Sequence, residues 1–138
     1  MQQCRIYPAG TFPDCKYVVI FSRYRGALLL SRHRDRLTWE TQGGHIEAGE
    51  VPQQAACREL YEESGALESD LSHVFDYCVT DDGGSGTGAV FFADIRVLGP
   101  IPDSEMAEVR VFEGIPPEDM LTYPAITPVL YEGVEGRF

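Results

Sequence analysis

Apolar and polar positions come in short runs along most of the chain, and one segment carries a strong helical period. Lys16–Arg23 places Val18, Val19, Ile20 and Phe21 between polar ends and predicts a strand. Ala27–Arg32 predicts a second strand after the short connection Tyr24-Arg25-Gly26, so the two form a hairpin. Leu37–Thr41 reads as a third extended piece, and Gln42–Val51 as a glycine-containing loop. His73–Thr80 and Gly88–Val97 read as strands joined across residues 81–87, a tip that either covers a ligand or simply connects. Glu108–Phe112 is a further strand. Pro8, Gly10 and Pro13 make the first 15 residues irregular.

Pro52–Ser64 is the helix. Proline fits its first position, where the missing N–H has no partner to lose, and Gly65 supplies a left-handed stop. Val51 is a poor cap, so Glu50 or a loop group is expected to cover the first N–H donors. Ala56, Cys57, Leu60, Tyr61 and Ser64 fall on one arc and predict the buried face. Pro124–Val134 reads as a second helix, its first turns limited by Pro128. Strands, a helix, more strands and a helix predict an α/β domain with a mixed sheet and helices on its faces.

At 138 residues the expectation is one domain, residues 1–138, with a core that needs no disulfide or metal staple. Charge changes the picture more. Asp and Glu number 22 against 11 Lys and Arg, a net of −11. That excess opposes binding to a nucleic-acid polymer or an anionic membrane surface. Four cysteines form no C-x-x-C pair, and the three histidines complete no zinc spacing. Met1–Gly10 holds no apolar leader core, and no apolar run reaches membrane length, so a cytoplasmic protein with reduced thiols is expected.

The acids are not spread evenly. Glu59, Glu62 and Glu63 share one arc of the helix, where like charges three and four residues apart oppose each other by a few tenths of a kcal/mol, about 0.2–0.5 per pair. Taken alone, this is either a solvated face partly neutralised by Arg58 or a site for a hard dication such as Mg²⁺ with oxygen ligands. Just upstream, Gly43 and Gly44 leave backbone open to close approach.

The context of that helix is specific. From Gly44 to Ala66 the chain reads GHIEAGEVPQQAACRELYEESGA, which resembles the Nudix box G-x5-E-x7-R-E-U-x-E-E-x-G-U, U being aliphatic. Gly44, Glu50, Arg58, Glu59, Leu60, Glu62, Glu63, Gly65 and Ala66 all fit. The resemblance implies a Nudix-type α/β/α sandwich with a mixed β-sheet between helices. It also implies a MutT-like pyrophosphohydrolase: water attacks one phosphorus of a nucleoside triphosphate or other nucleoside diphosphate-X, with Mg²⁺ as cofactor and Mn²⁺ as a substitute.

The same resemblance implies roles. Glu59, Glu62 and Glu63 would be the main metal ligands, with the Gly43 carbonyl, and Glu47 and Glu50 in support. Gly44 would lie against substrate. Arg58 would hold the carboxylates in place. The general base would be Glu59 or a loop acid, for which Glu105 occupies the corresponding place and Glu108 is its neighbour. Arg32 and Arg34, two apart on a strand and so on one side, would hold a phosphate. Homodimers are common in the family.

Two positions depart from the pattern. Gln42 stands where proline commonly precedes the two glycines, and Ile126 stands where MutT carries a base-reading asparagine, in Pro124-Ala125-Ile126-Thr127-Pro128. Ile126 removes the support for an 8-oxo-dGTP preference at that position. Trp39, Tyr77, Phe91 and Tyr123 are either core aromatics or stacking surfaces for a base. Two other readings compete. A non-catalytic nucleotide sensor would be marked by an appended domain and lost box carboxylates. A prenyl-diphosphate isomerase would need a protonating constellation that nothing here suggests.

Overall fold

The computed structural model describes the whole chain, Met1–Phe138. Seven strands form one mixed sheet: β1 (Gln3–Pro8), β2 (Tyr17–Tyr24), β3 (Ala27–His33), β4 (Gln42–His45), β5 (Ala66–Asp81), β6 (Gly84–Leu98) and β7 (Met106–Phe112). Spatial order is β1-β5-β6-β2-β3-β7, with β4 beside β2. Every pairing is antiparallel except β2 with β6.

Alternation along β2 and β6 builds two cores, one on each face of the sheet. Val18, Ile20 and Phe91 pack with Ala55, Ala56 and Leu60 of α1 (Pro52–Ser64). Phe21, Val90 and Phe92 pack on the other face with Trp39, Leu121, Leu130 and Val134, around α2 (Thr127–Glu132) and its flanking 3₁₀ turns. The expected sandwich is present, with its sheet between helices.

β2 forks. Its second half pairs with β3 from Ser22 to Tyr24, while its first half pairs with β4 from Tyr17 to Ile20. The fully buried Gln42 fills the fork. It accepts from the Ser22 hydroxyl (2.7 Å) and donates to Ser31 Oγ (2.8 Å) and the Leu29 carbonyl (3.3 Å). Ser31 in turn donates to the Glu63 carbonyl at 2.7 Å, tying the last turn of α1 to the sheet.

Several local expectations are corrected. β1 lies within the stretch expected to be irregular; it is an edge strand paired residue for residue with β5, with Pro8 at its end. Leu37–Thr41 makes only isolated bridges, Ser31 with Glu40 and Trp39 with Leu121, whereas the expected loop contains β4. β5 and β6 run through the expected tip, pairing Asp81 with Gly84. Only Asp82 and Gly83 turn the corner, and the Asp81 carboxylate accepts the Gly83 N–H at 2.8 Å.

Helix α1 has the expected bounds, and Gly65 adopts φ 83° as its left-handed cap. Its start differs in detail. Gln54 reaches back to accept the Val51 N–H at 3.0 Å, while Glu50 accepts from the Glu47 N–H at 2.9 Å. Its buried face is also rotated: Ala55, Ala56, Leu60 and Ser64 are buried, while Cys57 and Tyr61 are exposed. α2 is shorter than Pro124–Val134 because Pro128 has no N–H to extend the helix backwards.

Candidate active site

The rotation of α1 sets the site. Turning Ala55, Ala56 and Leu60 into the core carries Glu59 and Glu63 to the edge of that face, against β4. Glu59 is 13% exposed, and its carboxylate stands where a Cβ on Gly44 would be, 2.7 Å from that position. Any side chain at Gly44 would displace it. Gly43 is equally constrained, since a Cβ there would lie 2.3 Å from the Val18 carbonyl. The Gly43 N–H instead donates to Glu63 Oε1 at 2.8 Å.

Arg58 organises the surrounding acids. Its guanidinium grips Glu50 in two-point fashion (2.8 and 2.9 Å), donates to Glu59 at 2.7 Å, and reaches the His45 carbonyl at 3.1 Å. Glu47 and Glu62 lie 3.5 and 3.7 Å away. A partly buried fork of this kind is worth more than an exposed ion pair. Its hydrogen bonds hold the Glu50 carboxyl down at about 2 and raise the Arg58 pKa further above its ordinary value.

Glu63 has no such partner. Burial, and then the charges of Glu59, Glu40 and Glu105, push its carboxyl up to about 8, against the pull of the Gly43 N–H. Burial likewise raises Glu59, opposed by Arg58. These acids form an all-oxygen donor set with negative charge in excess, which is the chemistry a hard dication satisfies. Arg58 is the counter-charge in the arrangement seen, and no three side chains converge on one ion position. The fit to a metal rests on donor type and on Glu63, a carboxyl that no cationic side chain meets.

A cavity of about 640 Å³ opens beside the two glycines. Tyr17, Tyr77 and Tyr123 supply aromatic walls, Glu40 and Asp81 acidic ones, and no Lys or Arg lines it. Ile126 lines it too, as does the tight Gly83–Gly86 corner. Trp39 and Phe91 are core residues, Tyr77 is buried at the cavity wall, and Tyr123 is 46% exposed.

The predicted residues therefore divide. Gly43, Gly44, Glu47, Glu50, Arg58, Glu59, Glu62 and Glu63 come together. Glu105, on the segment before β7, is close enough for its charge to act on Glu63. Arg32 and Arg34 do not line the cavity and do not act as a pair. β3 ends at His33, with an irregularity after Arg32 that breaks the two-residue alternation. Arg32 binds Glu108 at 2.8 Å, and Arg34 binds the Ser104 carbonyl. Sequence reasoning missed Ser22 and Ser31, which link Gln42 to the Glu63 carbonyl. Short polar residues in strands carry no pattern that marks them as a buried relay.

Comparisons with known proteins agree with this geometry. The family model described as NUDIX domain matches residues 15–132. YtkD of Bacillus subtilis (strain 168), provisionally named an 8-oxo-dGTP diphosphatase, is 36% identical over 83 residues, 60% of this chain and 52% of that protein. An RNA pyrophosphohydrolase of Tolumonas auensis is 38% identical over 55 residues, 40% of this chain and 31% of that protein. The matched regions thus span about half or less of these curated relatives. The crystal structure of the Bacillus subtilis pyrophosphohydrolase BsRppH superposes with a TM-score of 0.82 at 24% identity, covering 97% of this chain and 90% of that one.

Proposed function

Because this chain belongs to the NUDIX domain family, we propose that it is a Mg²⁺-dependent pyrophosphohydrolase of nucleoside triphosphates or related nucleoside diphosphate compounds. The whole chain, 1–138, acts as one catalytic domain in the cytoplasm, alone or as a homodimer. The observation that carries this reading is the half-buried carboxyl pair Glu59 and Glu63, set against two glycines at the mouth of a nucleotide-sized cavity.

Glu59, Glu62 and Glu63 would hold the metal, with the Gly43 carbonyl and with Glu47 and Glu50 in support. Mn²⁺ would substitute for Mg²⁺. A bound dication there neutralises phosphate charge and lowers the pKa of water. Arg58 keeps Glu50 and Glu59 in register with β4, whose His45 carbonyl it also reaches. Gly44 allows phosphate oxygens close to the backbone, and Arg32 or Arg34 would meet the outer phosphates by exchanging its present partner, the Glu108 carboxylate or the Ser104 carbonyl, for substrate.

Glu105 serves as general base. Glu59 is committed to Arg58 and Glu63 to the Gly43 N–H, whereas the Glu105 carboxylate is 81% exposed and bound to no guanidinium. It takes a proton from water as the water oxygen bonds to phosphorus. The bridging P–O bond breaks, and its electron pair leaves with the departing phosphate.

The substrate is a small nucleotide. An acidic cavity in a chain of net charge −11 offers nothing to a polymer's phosphates beyond the reacting group. The test is a turnover panel with Mg²⁺, reading phosphate and pyrophosphate separately. It contains dGTP, GTP, 8-oxo-dGTP, ADP-ribose, UDP-glucose, diadenosine tetraphosphate and a 5′-triphosphorylated RNA. Mg²⁺-dependent release from one or more small nucleotides is expected. Nucleotide binding without any turnover would replace this reading with that of a sensor.

A further inference from the structure

Beside the Glu105 carboxylate stands a histidine that no role above uses. His33 ends β3, and its ring is held in a shallow depression between that strand end and the segment entering β7. Its side chain is 20% exposed. The Asp35 N–H donates to His33 Nδ1 at 3.1 Å. A nitrogen that accepts carries no proton, so in the neutral ring the proton sits on Nε2. That nitrogen faces Glu105 Oε2 at 3.7 Å. The backbone fixes the same approach, since the Arg34 N–H donates to the Glu105 carbonyl at 2.9 Å.

We propose that His33 is a positioning residue for the general base: its Nε2–H holds one oxygen of Glu105 and leaves the other to accept the proton of the attacking water. This rests on the reading of Glu105 given above. The gap of 3.7 Å is slightly longer than a formed hydrogen bond, and apo catalytic contacts of this kind commonly shorten when substrate is bound. The arrangement is a base oriented by a second group that is itself oriented by a third, here the Asp35 main chain. Arg34 does not compete for the carboxylate, because its guanidinium is taken by the Ser104 carbonyl and lies near Asp103.

The test is a double-mutant cycle on the full chain, assayed with the fastest-hydrolysed member of the panel. His33→Leu should lower kcat about tenfold with KM unchanged, a part of the roughly 100- to 10,000-fold that a general base supplies. His33→Gln keeps an N–H donor and should recover most of that loss. In a Glu105→Gln background, His33→Leu should cost nothing further. An equal tenfold loss in both backgrounds, or a loss falling on KM, overturns the proposal while leaving the hydrolase reading intact. If no nucleotide is turned over, that reading fails instead, and imidazole ¹⁵N spectra decide the pairing. An Nε2–H tautomer of His33 whose resonance shifts in Glu105→Gln supports it; an Nδ1–H tautomer, or no shift, overturns it.

Discussion

Glu63 carries the sharpest consequences at the level of single residues. Its folded carboxyl titrates near 8 against an ordinary 4.5, so between those values the metal-free native state holds a proton that the unfolded chain has released. The stability this group contributes is therefore full at low pH and is lost as pH rises through 8. Thermal melts of metal-free protein from pH 6 to 9 should show a falling midpoint, and Glu63→Gln should flatten that fall. Mg²⁺ should raise the midpoint most at the alkaline end. Arg58 makes a different kind of contribution. Its planar fork meets Glu50 at two points and Glu59 at a third, which the point charge of lysine cannot do. Arg58→Lys should cost about 10- to 100-fold in metal affinity or activity, as changes to the partners of metal ligands do. Titration calorimetry with Mg²⁺ and steady-state rates measure it.

The element that matters most is the fork in β2 and the glutamine that fills it. Proline at position 42 could not bridge Ser22 and Ser31; Gln42 does so with every polar atom satisfied. Gln42→Leu leaves those hydroxyls without their partner and should destabilise the fold by about 1–3 kcal/mol in denaturant melts. This element also shows where the sequence stops being informative. Helix α1 was legible to its last residue because Pro52 and Gly65 punctuate it, and the box carboxylates were legible because their spacing follows the helix. β4 was not, because Gly43 and Gly44 have no side chains to alternate. β1 was not, because an edge strand facing solvent needs no apolar face and Pro8 reads as a breaker. The long polar start of β5 lies half in solvent, so its Glu68-Ser69-Asp70 run looks like loop. Arg32 and Arg34 were misjudged as a pair because a bulge, which sequence does not announce, intervenes.

At the scale of the whole molecule, two apolar cores pin a sheet whose fork presents one acidic site and one cavity. No helix is long and apolar enough to cross a membrane. The excess of 11 negative charges is concentrated in function as well as in number, since the acids around Arg58 and Glu63 form the part of the surface that most requires a cation. An acidic protein and an anionic substrate are then compatible where they meet. The most direct test is hydrolysis of the fastest-cleaved small nucleotide of the panel by the purified chain, with Mg²⁺ added or chelated, alongside Glu63→Gln. The expected result is two phosphate-bearing products in equal amounts, loss of turnover on chelation, and at least a hundredfold loss in Glu63→Gln (about 2.7 kcal/mol of transition-state stabilisation). Turnover that survives both chelation and Glu63→Gln would contradict it.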